Sequence, residues 1–205
     1  EGWPAMSIED ANAALSGEGA VFELEDTDIR GVTVKTYKNA YPQLRAMFEY
    51  GSQMWAPRDM LVYENERVTF DAHARAVENL AAALLDRYGL QKGDRVAISM
   101  RNYPQWSVAF WACIVSGLIA TPLNSWWKGE ELEYGLENSG ARLAIVDPQI
   151  FERIQEHWKN VPSLDRVIIA RCEEDYGDPK VIPMEHLIGS STEWAGLDHI
   201  GLPSV

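Results

Sequence analysis

The sequence predicts an α/β fold in which an open, mostly parallel sheet carries helices on both faces. Two observations lead to this class. Short apolar runs rich in β-branched residues alternate with helix-length amphipathic segments, and glycine, proline or asparagine stands at most of the boundaries between them. Strands that are separated by helices need crossover connections, which place neighbouring strands parallel and cover both faces of the sheet.

Composition limits the classes of protein to which this chain can belong. The 205 residues are 46% hydrophobic and 24% charged, which is typical of a globular protein with a substantial core. A net charge of -13 repels phosphate backbones and anionic lipids, so nucleic-acid binding is not expected. Because there are only two cysteines, and because Glu9 and Asp10 stand where a signal peptide would carry basic residues, a cytoplasmic location is predicted.

The first predicted elements are a hairpin and a long helix. Residues 60–70 contain two short apolar runs around a polar turn at Asn65, which is the pattern of paired antiparallel strands. Thr69 or Asp71 can cap the helix that follows, whose apolar residues recur on one face until a glycine ends it. Residues 94–100 are apolar and predict a strand.

Residues 102–127 contain no charged side chain and allow two interpretations. Tryptophans near both ends resemble the interfacial anchors of a transmembrane helix. Pro104 and Gly117, however, mark the start and end of a helix of about 13 residues, with Asn102 as its predicted cap, whereas a bilayer span needs about 20. The favoured interpretation is therefore a buried helix followed by a buried strand at 118–123, with no transmembrane segment.

The remaining elements repeat the alternation of helix and strand. A helix is expected over 130–138 with Gly140 at its end, and an apolar strand follows at 142–147. A proline in the first turn predicts a further helix over 148–159, and residues 166–170 predict one more apolar strand.

Loops at the carboxyl ends of strands are the expected place for chemistry in such a sheet, here at 100–104, 123–129 and 147–148. The sequence contains no GxGxxG and no GxxxxGK[ST], which excludes the two common glycine-rich phosphate loops. Its four histidines have no HxxxH spacing and no cysteine partner, so no metal site is predicted.

Several residues of reactive types have simpler explanations. Glu130, Glu131 and Glu133 lie in or near the first turn of a helix, where acidic side chains complement the helix dipole. The acidic run at 173–178 is interpreted as a solvated loop, with a weak cation site as the alternative. Cys113 stands in an apolar helix and is expected to pack as a small hydrophobic residue rather than act as a nucleophile.

A family resemblance covers about residues 45–170. Five segments carry it in order: VTF before the long helix, KGDRV at the start of a strand, RNYPQW at the following turn, SGLIATPLN, and GEELEYGLENSGAR before the next strand. Together they resemble the beginning of the AMP-forming acyl-CoA synthetases, which belong to the adenylate-forming superfamily. The WWKGEELEYGL segment is most similar to members that act on fatty or related carboxylic acids.

The resemblance implies a two-step reaction that uses ATP, Mg²⁺ and coenzyme A. A carboxylate attacks the α-phosphate of ATP to give an acyl-adenylate and pyrophosphate, and coenzyme A then displaces AMP. In the family, a Ser/Thr/Gly-rich loop ending in lysine, an aspartate at the ribose and a lysine of a small C-terminal domain serve this chemistry, and no such set occurs here. The chain is therefore expected to be an inactive N-terminal fragment that has no catalytic residue and binds no cofactor alone.

The resemblance also implies a domain organisation. Residues 1–58 are an N-terminal extension with a lead-in helix, and 59–205 are the first α/β subdomain, truncated before the phosphate loop and incomplete at its C-terminal end. Because such a fragment exposes apolar surface, self-association is expected. Two alternatives stay open, a free-standing non-catalytic module that needs a partner chain and an unrelated nucleotide-binding sheet.

One binding site follows from the resemblance. In some relatives a basic residue two positions after the asparagine of the PLN segment approaches the nucleotide end of coenzyme A. Here that position is Trp126, followed by Trp127 and Lys128, and these three residues are the predicted coenzyme A entrance. Tryptophan stacking would replace the basic contact, and simple packing between subdomains is the alternative. Ala72 and His73 replace a Glu-Leu pair that is common in the family, and His73 is expected to be structural.

Overall fold

The computed structural model describes residues 5–205, which form two compact units that meet in sequence between Ala46 and Met47. The first unit contains a helix and an antiparallel hairpin, namely α1 (Ile8–Ser16), β1 (Leu24–Ile29) and β2 (Val32–Tyr37). The hairpin is not among the predicted elements. Its turn at Arg30 and Gly31, with φ values of 54° and 83°, nevertheless has the positive angles that a tight hairpin turn requires.

The second unit begins within α2 (Leu44–Met54) and contains all later elements. These are β3 (Asp59–Tyr63), β4 (Glu66–Thr69), α3 (Phe70–Ala82), β5 (Arg95–Ser99), α4 (Pro104–Val115), β6 (Ile119–Pro122), α5 (Gly129–Ser139), β7 (Leu143–Val146), α6 (Pro148–Ile154), β8 (Arg166–Ile169), β9 (Val181–Pro183) and α7 (Glu185–Ile188). Each helix and strand predicted between 59 and 170 has a counterpart among them. The predicted domain boundary after residue 58 remains a prediction.

Five strands of the second unit form one parallel sheet in the order β6-β5-β7-β8-β9, with helices on both faces as predicted. Alternate residues of the central strands belong to two different core clusters, one on each face of the sheet. Ile98 and Ile145 belong to a core cluster with α3 and α4, whereas Ala97 and Ala144 belong to a cluster with α5 and α6. Strands that are buried on both faces in this way appear in the sequence as continuous apolar runs.

The hairpin of β3 and β4 leads directly into α3. The Thr69 hydroxyl oxygen accepts a hydrogen bond from the Ala72 N–H at 3.1 Å, so Thr69 rather than Asp71 caps this helix. The helix widens into a π-helical turn over Ala83–Arg87 and ends before Gly89, whose φ of 67° suits only a glycine readily.

Two details of the 102–127 segment differ from the prediction. The helix α4 begins at Pro104 with Tyr103 in the capping position and no side-chain cap, so the predicted Asn102 cap is wrong. A proline at the first helical position places the cap directly before it. The strand β6 is not buried, because it is the outer strand of the sheet, and Ile119 is 45% exposed. Within residues 5–205, no helix has both the length and the apolar character that a membrane span requires.

The part of the chain after β7 is more irregular than predicted. The helix α6 ends at Ile154, and a separate 3₁₀ turn over Trp158–Asn160 lies where the predicted helix was expected to end. The elements β9 and α7 were not predicted, because three and four residues are too few to establish a periodicity.

Candidate functional site

The strand order creates a topological switch point between β5 and β7. The chain passes from β5 to β6 on one side and then to β7 on the other, so the loops after β5 and β7 diverge. In open α/β sheets, ligands bind in the crevice that such diverging loops leave beyond the carboxyl ends of the strands. A cleft of about 450 Å³ opens here, and its lining residues, which define the switch-point cleft, are Tyr63, Arg101, Asn102, Tyr103, Ser125, Trp126 and Gln149.

Asp147 holds the two sides of the switch-point cleft together. It follows β7, is 2% exposed, and its Oδ1 accepts the Ile150 N–H at 2.9 Å, which caps α6. Its Oδ2 accepts the Arg101 N–H at 2.9 Å, directly beyond β5. One buried carboxylate therefore fixes both loops, and Asp147 serves the predicted functional loop as an anchor.

Arg101 supplies positive charge to the switch-point cleft. Its guanidinium lies over the Trp126 ring, with Cζ 4.2 Å from the ring centroid, which is a cation–π contact. Among residues 5–205 no carboxylate pairs with this guanidinium, so its charge is available to an anionic ligand. Arg101 is not among the predicted site residues, although its position in a predicted functional loop, directly after a strand, is the signal that marks it.

A second arginine, Arg171, supports the aromatic wall of the cleft. It follows β8 and lies over the rings of Tyr63 and Tyr103, with Cζ 5.3 and 5.0 Å from their centroids. Unlike Arg101 it is ion-paired, because its Nη2 lies 2.9 Å from Oε1 of Glu66. Hydrogen bonding within this pair lowers the pKa of Glu66 and raises the pKa of Arg171. The charge of Arg171 is thus neutralised within the protein.

The structure separates the three residues of the predicted coenzyme A entrance. Trp126 is 70% exposed and lines the switch-point cleft. Trp127 packs inward on the α5–α6 core cluster, and a methyl group added to Gly135 would lie 2.9 Å from its ring. Lys128 precedes α5, and its N–H donates to Oε2 of Glu131 at 2.8 Å. Of the three, Trp126 alone faces the cleft, and the ligand assignment remains a prediction.

The acidic residues of α5 have structural roles. Glu130 and Glu131 lie in the first turn, as predicted. Glu133 instead joins α5 to the segment after α6, because its Oε2 accepts from Asn160 Nδ2 at 3.1 Å and lies 2.6 Å from His157 Nδ1. The hydrogen bonds to Asn160 and His157 lower the pKa of Glu133. This partnership is not readable from the sequence, since the two segments are remote along the chain.

Two buried titratable groups are structural. His73 is fully buried, its Nε2 lies 2.9 Å from Ser107 Oγ, and burial lowers its pKa to about 3. Cys113 is fully buried in α4, and burial raises the pKa of its thiol to about 12. Both groups are therefore neutral near pH 7, which agrees with the structural roles predicted for them.

The acidic run at 173–178 is an exposed loop. Asp175 and Asp178 each accept a backbone N–H at 2.9 Å, from Gly177 and Lys180, as turn-forming aspartates do. In the part of the chain that the structure describes, no group of three or more metal-binding side chains occurs.

Known proteins resemble this chain over most of its second unit. A family model described as AMP-binding enzyme matches residues 48–186. A long-chain-fatty-acid–CoA ligase of Salmonella typhimurium is 31% identical over 140 residues, which are 68% of this chain and 25% of that protein. A 2-succinylbenzoate–CoA ligase of Bacillus velezensis is 34% identical over 96 residues, 47% of this chain and 20% of that protein.

The fold is also shared with solved structures. The crystal structure of coronafacic acid ligase from Pectobacterium brasiliense superposes with a TM-score of 0.67 at 17% identity, over 72% of this chain and 29% of that one. The chain spans about a quarter of the length of the Salmonella relative.

Proposed function

Because the chain belongs to the AMP-binding enzyme family, we propose that it forms part of an AMP-forming acyl-CoA synthetase. In the proposed reaction a carboxylate oxygen attacks the α-phosphorus of ATP, and pyrophosphate leaves to give an acyl-adenylate. The thiol sulfur of coenzyme A then attacks the acyl carbon and loses its proton to water, and AMP leaves with the electrons of the broken C–O bond. Support comes from the relatives, which are named as CoA ligases. Mg²⁺ would neutralise the phosphates of ATP, and residues 5–205 offer no side-chain cluster for it.

The proposed acid is a fatty acid. Relatives from several bacteria, 31–33% identical, are named long-chain-fatty-acid–CoA ligases, and they support this class. This assignment is tested by acid-dependent ATP–pyrophosphate exchange with the active synthetase. The acids compared are fatty acids of increasing length, benzoate and 2-succinylbenzoate. We expect the highest rates with fatty acids. A clear preference for an aromatic acid would contradict the fatty-acid assignment and leave the synthetase proposal intact.

We also propose that the 205 residues alone do not catalyse the reaction. The sequence contains no Ser/Thr/Gly-rich run ending in lysine, and the Salmonella relative is about four times as long as the matched part of this chain. The test is the same exchange assay on the purified 205-residue chain and on any longer polypeptide that the native gene encodes. Acid-dependent exchange by the 205-residue chain would refute the proposed inactivity.

Within that reaction, we propose the switch-point cleft as the entrance for the nucleotide end of coenzyme A. The observation that carries this proposal is the exposed indole of Trp126 beside the unpaired guanidinium of Arg101. An indole face can stack on a purine, and a guanidinium can bind a phosphate through two hydrogen bonds. Trp127 and Lys128 would support the loop, one by packing and the other by preceding α5.

Kinetics of the active synthetase test this entrance. We expect Trp126→Ala and Arg101→Ala each to raise the KM for coenzyme A about tenfold, equivalent to about 1.4 kcal/mol. ATP–pyrophosphate exchange should not change, because that half-reaction does not use coenzyme A. Tyr134→Ala is the matched control, since Tyr134 is an equally exposed aromatic residue on α5. An unchanged KM for coenzyme A in both cleft variants would refute the proposed coenzyme A entrance and leave the synthetase proposal unaffected.

Location and association are proposals of the same kind. A cytoplasmic location is supported by two cysteines that are both free and buried, and cell fractionation would test it.

Self-association is supported by an apolar face of α2, where Met47, Tyr50 and Met54 are 41%, 42% and 55% exposed. We expect a mass that rises with concentration in analytical ultracentrifugation. A monomer at every concentration would contradict it.

A further inference from the structure

A short segment after α7, Leu197–Leu202, runs along α3 and is called the strap. Polar side chains of α3 hold its backbone. Arg75 Nη1 donates to the carbonyl oxygen of Leu197 at 2.6 Å, and Asn79 Nδ2 donates to the carbonyl oxygen of Asp198 at 3.0 Å. The strap is therefore docked by specific hydrogen bonds and not only by apolar contact.

His199, in the middle of the strap, lies between two carboxylates of α3. Its Nε2 is 2.9 Å from Oδ1 of Asp71, and its Nδ1 is 3.1 Å from Oε2 and 3.2 Å from Oε1 of Glu78. Oε2 of Glu78 also accepts the N–H groups of Ile200 and Gly201, each at 3.0 Å. Both ring nitrogens of His199 thus face carboxylate oxygens.

These two contacts are satisfied together only by a doubly protonated ring. A neutral imidazole has one N–H and one lone pair, so one of its nitrogens would turn a lone pair toward a carboxylate. An imidazolium donates from both nitrogens and places a positive charge between the two carboxylates. We propose that the strap is a pH-sensitive clasp, which closes on α3 when His199 is protonated and loosens when His199 is neutral.

The charged groups around His199 come from three elements and are Asp71, Arg75 and Glu78 on α3, Glu49 on α2 and the adjacent Asp198 in the strap. Arg75 already pairs with Asp71, since its Nε lies 2.9 Å from Oδ2. Asp71 and Glu78, whose carboxylate oxygens contact the ring, favour a proton on His199, whereas the guanidinium of Arg75 opposes it.

The electrostatics set the direction of the pH response. The hydrogen bond to Asp71, opposed by burial and assisted by Glu78, raises the pKa of His199 above its ordinary 6.5. The same contact lowers the pKa of Asp71 below its ordinary 3.8. The stabilisation of the docked strap by protonated His199 is complete below pH 6.5 and is lost as pH rises through the raised pKa of His199. The stabilisation by ionised Asp71 is present above pH 3.8 and is lost as pH falls through the lowered pKa of Asp71. The strap is therefore expected to be closed between these two limits.

Loosening of the strap would widen a cleft of about 590 Å³ that lies against α2 and α3 in the docked state. His199, Gly201 and Leu202 of the strap line this cleft, together with Phe48 of α2. Leu202 packs against the main core cluster and Leu197 packs there too, so the response is a local opening rather than unfolding. None of these residues lines the switch-point cleft, and the inference stands apart from the proposed reaction.

Histidine NMR of the 205-residue chain tests the clasp directly. The His199 ring and the amides of Ile200 and Gly201 are followed from about pH 5 to 9, the range in which histidines titrate. We expect the ring to titrate above 6.5, to have both nitrogens protonated below its midpoint, and to shift the two amides with the same midpoint. A midpoint at or below 6.5, or amides that do not follow the ring, would overturn the proposal.

Two variants sharpen the test. His199→Gln keeps a polar side chain without a titrating charge and should abolish the pH-dependent shift of the strap amides. His186→Gln is the control, because the His186 ring contacts the carbonyl oxygen of Glu173 at 3.1 Å instead, and the shift should persist. If His199→Gln does not fold, Asp71→Asn should lower the His199 midpoint by about one pH unit. An unchanged midpoint in that variant would overturn the clasp.

Discussion

Replacement of Asp147 by alanine should lower the free energy of unfolding of the second unit by about 2–5 kcal/mol. The carboxylate makes two separate hydrogen bonds, so its removal has two costs. Loss of the α6 cap costs about 0.5–2 kcal/mol, and loss of the charge-assisted bond to the Arg101 N–H costs about 1.5–3 kcal/mol. Because Asp147 is only 2% exposed, water does not readily replace either bond.

Urea unfolding followed by tryptophan fluorescence measures this loss. Asp147→Asn is the informative second variant, because its amide oxygen can still cap α6 while its NH₂ faces the Arg101 N–H. The loss of unfolding free energy should therefore be smaller in Asp147→Asn than in Asp147→Ala. Asp165→Ala is the control, because the side chain of this aspartate is half exposed beside Arg166 and should contribute less than about 1 kcal/mol. Equal losses for the two Asp147 variants, or a loss for alanine as small as the control, would refute the reasoning.

Three further predictions concern the core. Because burial holds the pKa of His73 at about 3, against 6.5 in the unfolded chain, stability should fall below pH 6.5 by up to about 1.4 kcal/mol per pH unit. His73→Gln should remove this part of the slope in unfolding curves recorded at several pH values. Gly135→Ala should cost about 1–2 kcal/mol, even with the better helix propensity of alanine, because the new methyl would lie 2.9 Å from the Trp127 ring; an unchanged urea midpoint would argue against that packing. Cys113, with its thiol pKa near 12, should resist a thiol reagent until the chain unfolds, whereas Cys172 should react first, and equal rates would contradict this order.

The elements that sequence reasoning located correctly have local causes. Thr69 caps α3 through an N–H three residues away, and Pro104 begins α4 through its own fixed backbone angle. Gly117 and Gly140 end helices with φ values of 67° and 64°, which other residues rarely adopt. Each of these effects acts within one turn of chain, so its signal lies in neighbouring letters of the sequence.

The burial of individual side chains depends instead on neighbours that are distant in sequence. Ile119 belongs to an apolar run yet is 45% exposed, because its strand lies at the edge of the sheet. Trp126 and Trp127 are adjacent in sequence, but one faces the switch-point cleft and the other packs on α5. No pattern of spacing distinguishes them, since burial is decided by what lies opposite each side chain.

By itself the sequence determined the family, the order of helices and strands between 59 and 170, and which runs are apolar, because these follow from composition, periodicity and local backbone preference. The tertiary structure alone decided the strand order, and with it the switch-point cleft. It also brought His199 within 2.9 Å of Asp71 across 128 positions of sequence. Contacts between residues so far apart in sequence form only when the chain has packed. They therefore produce no periodic pattern in the residues between them.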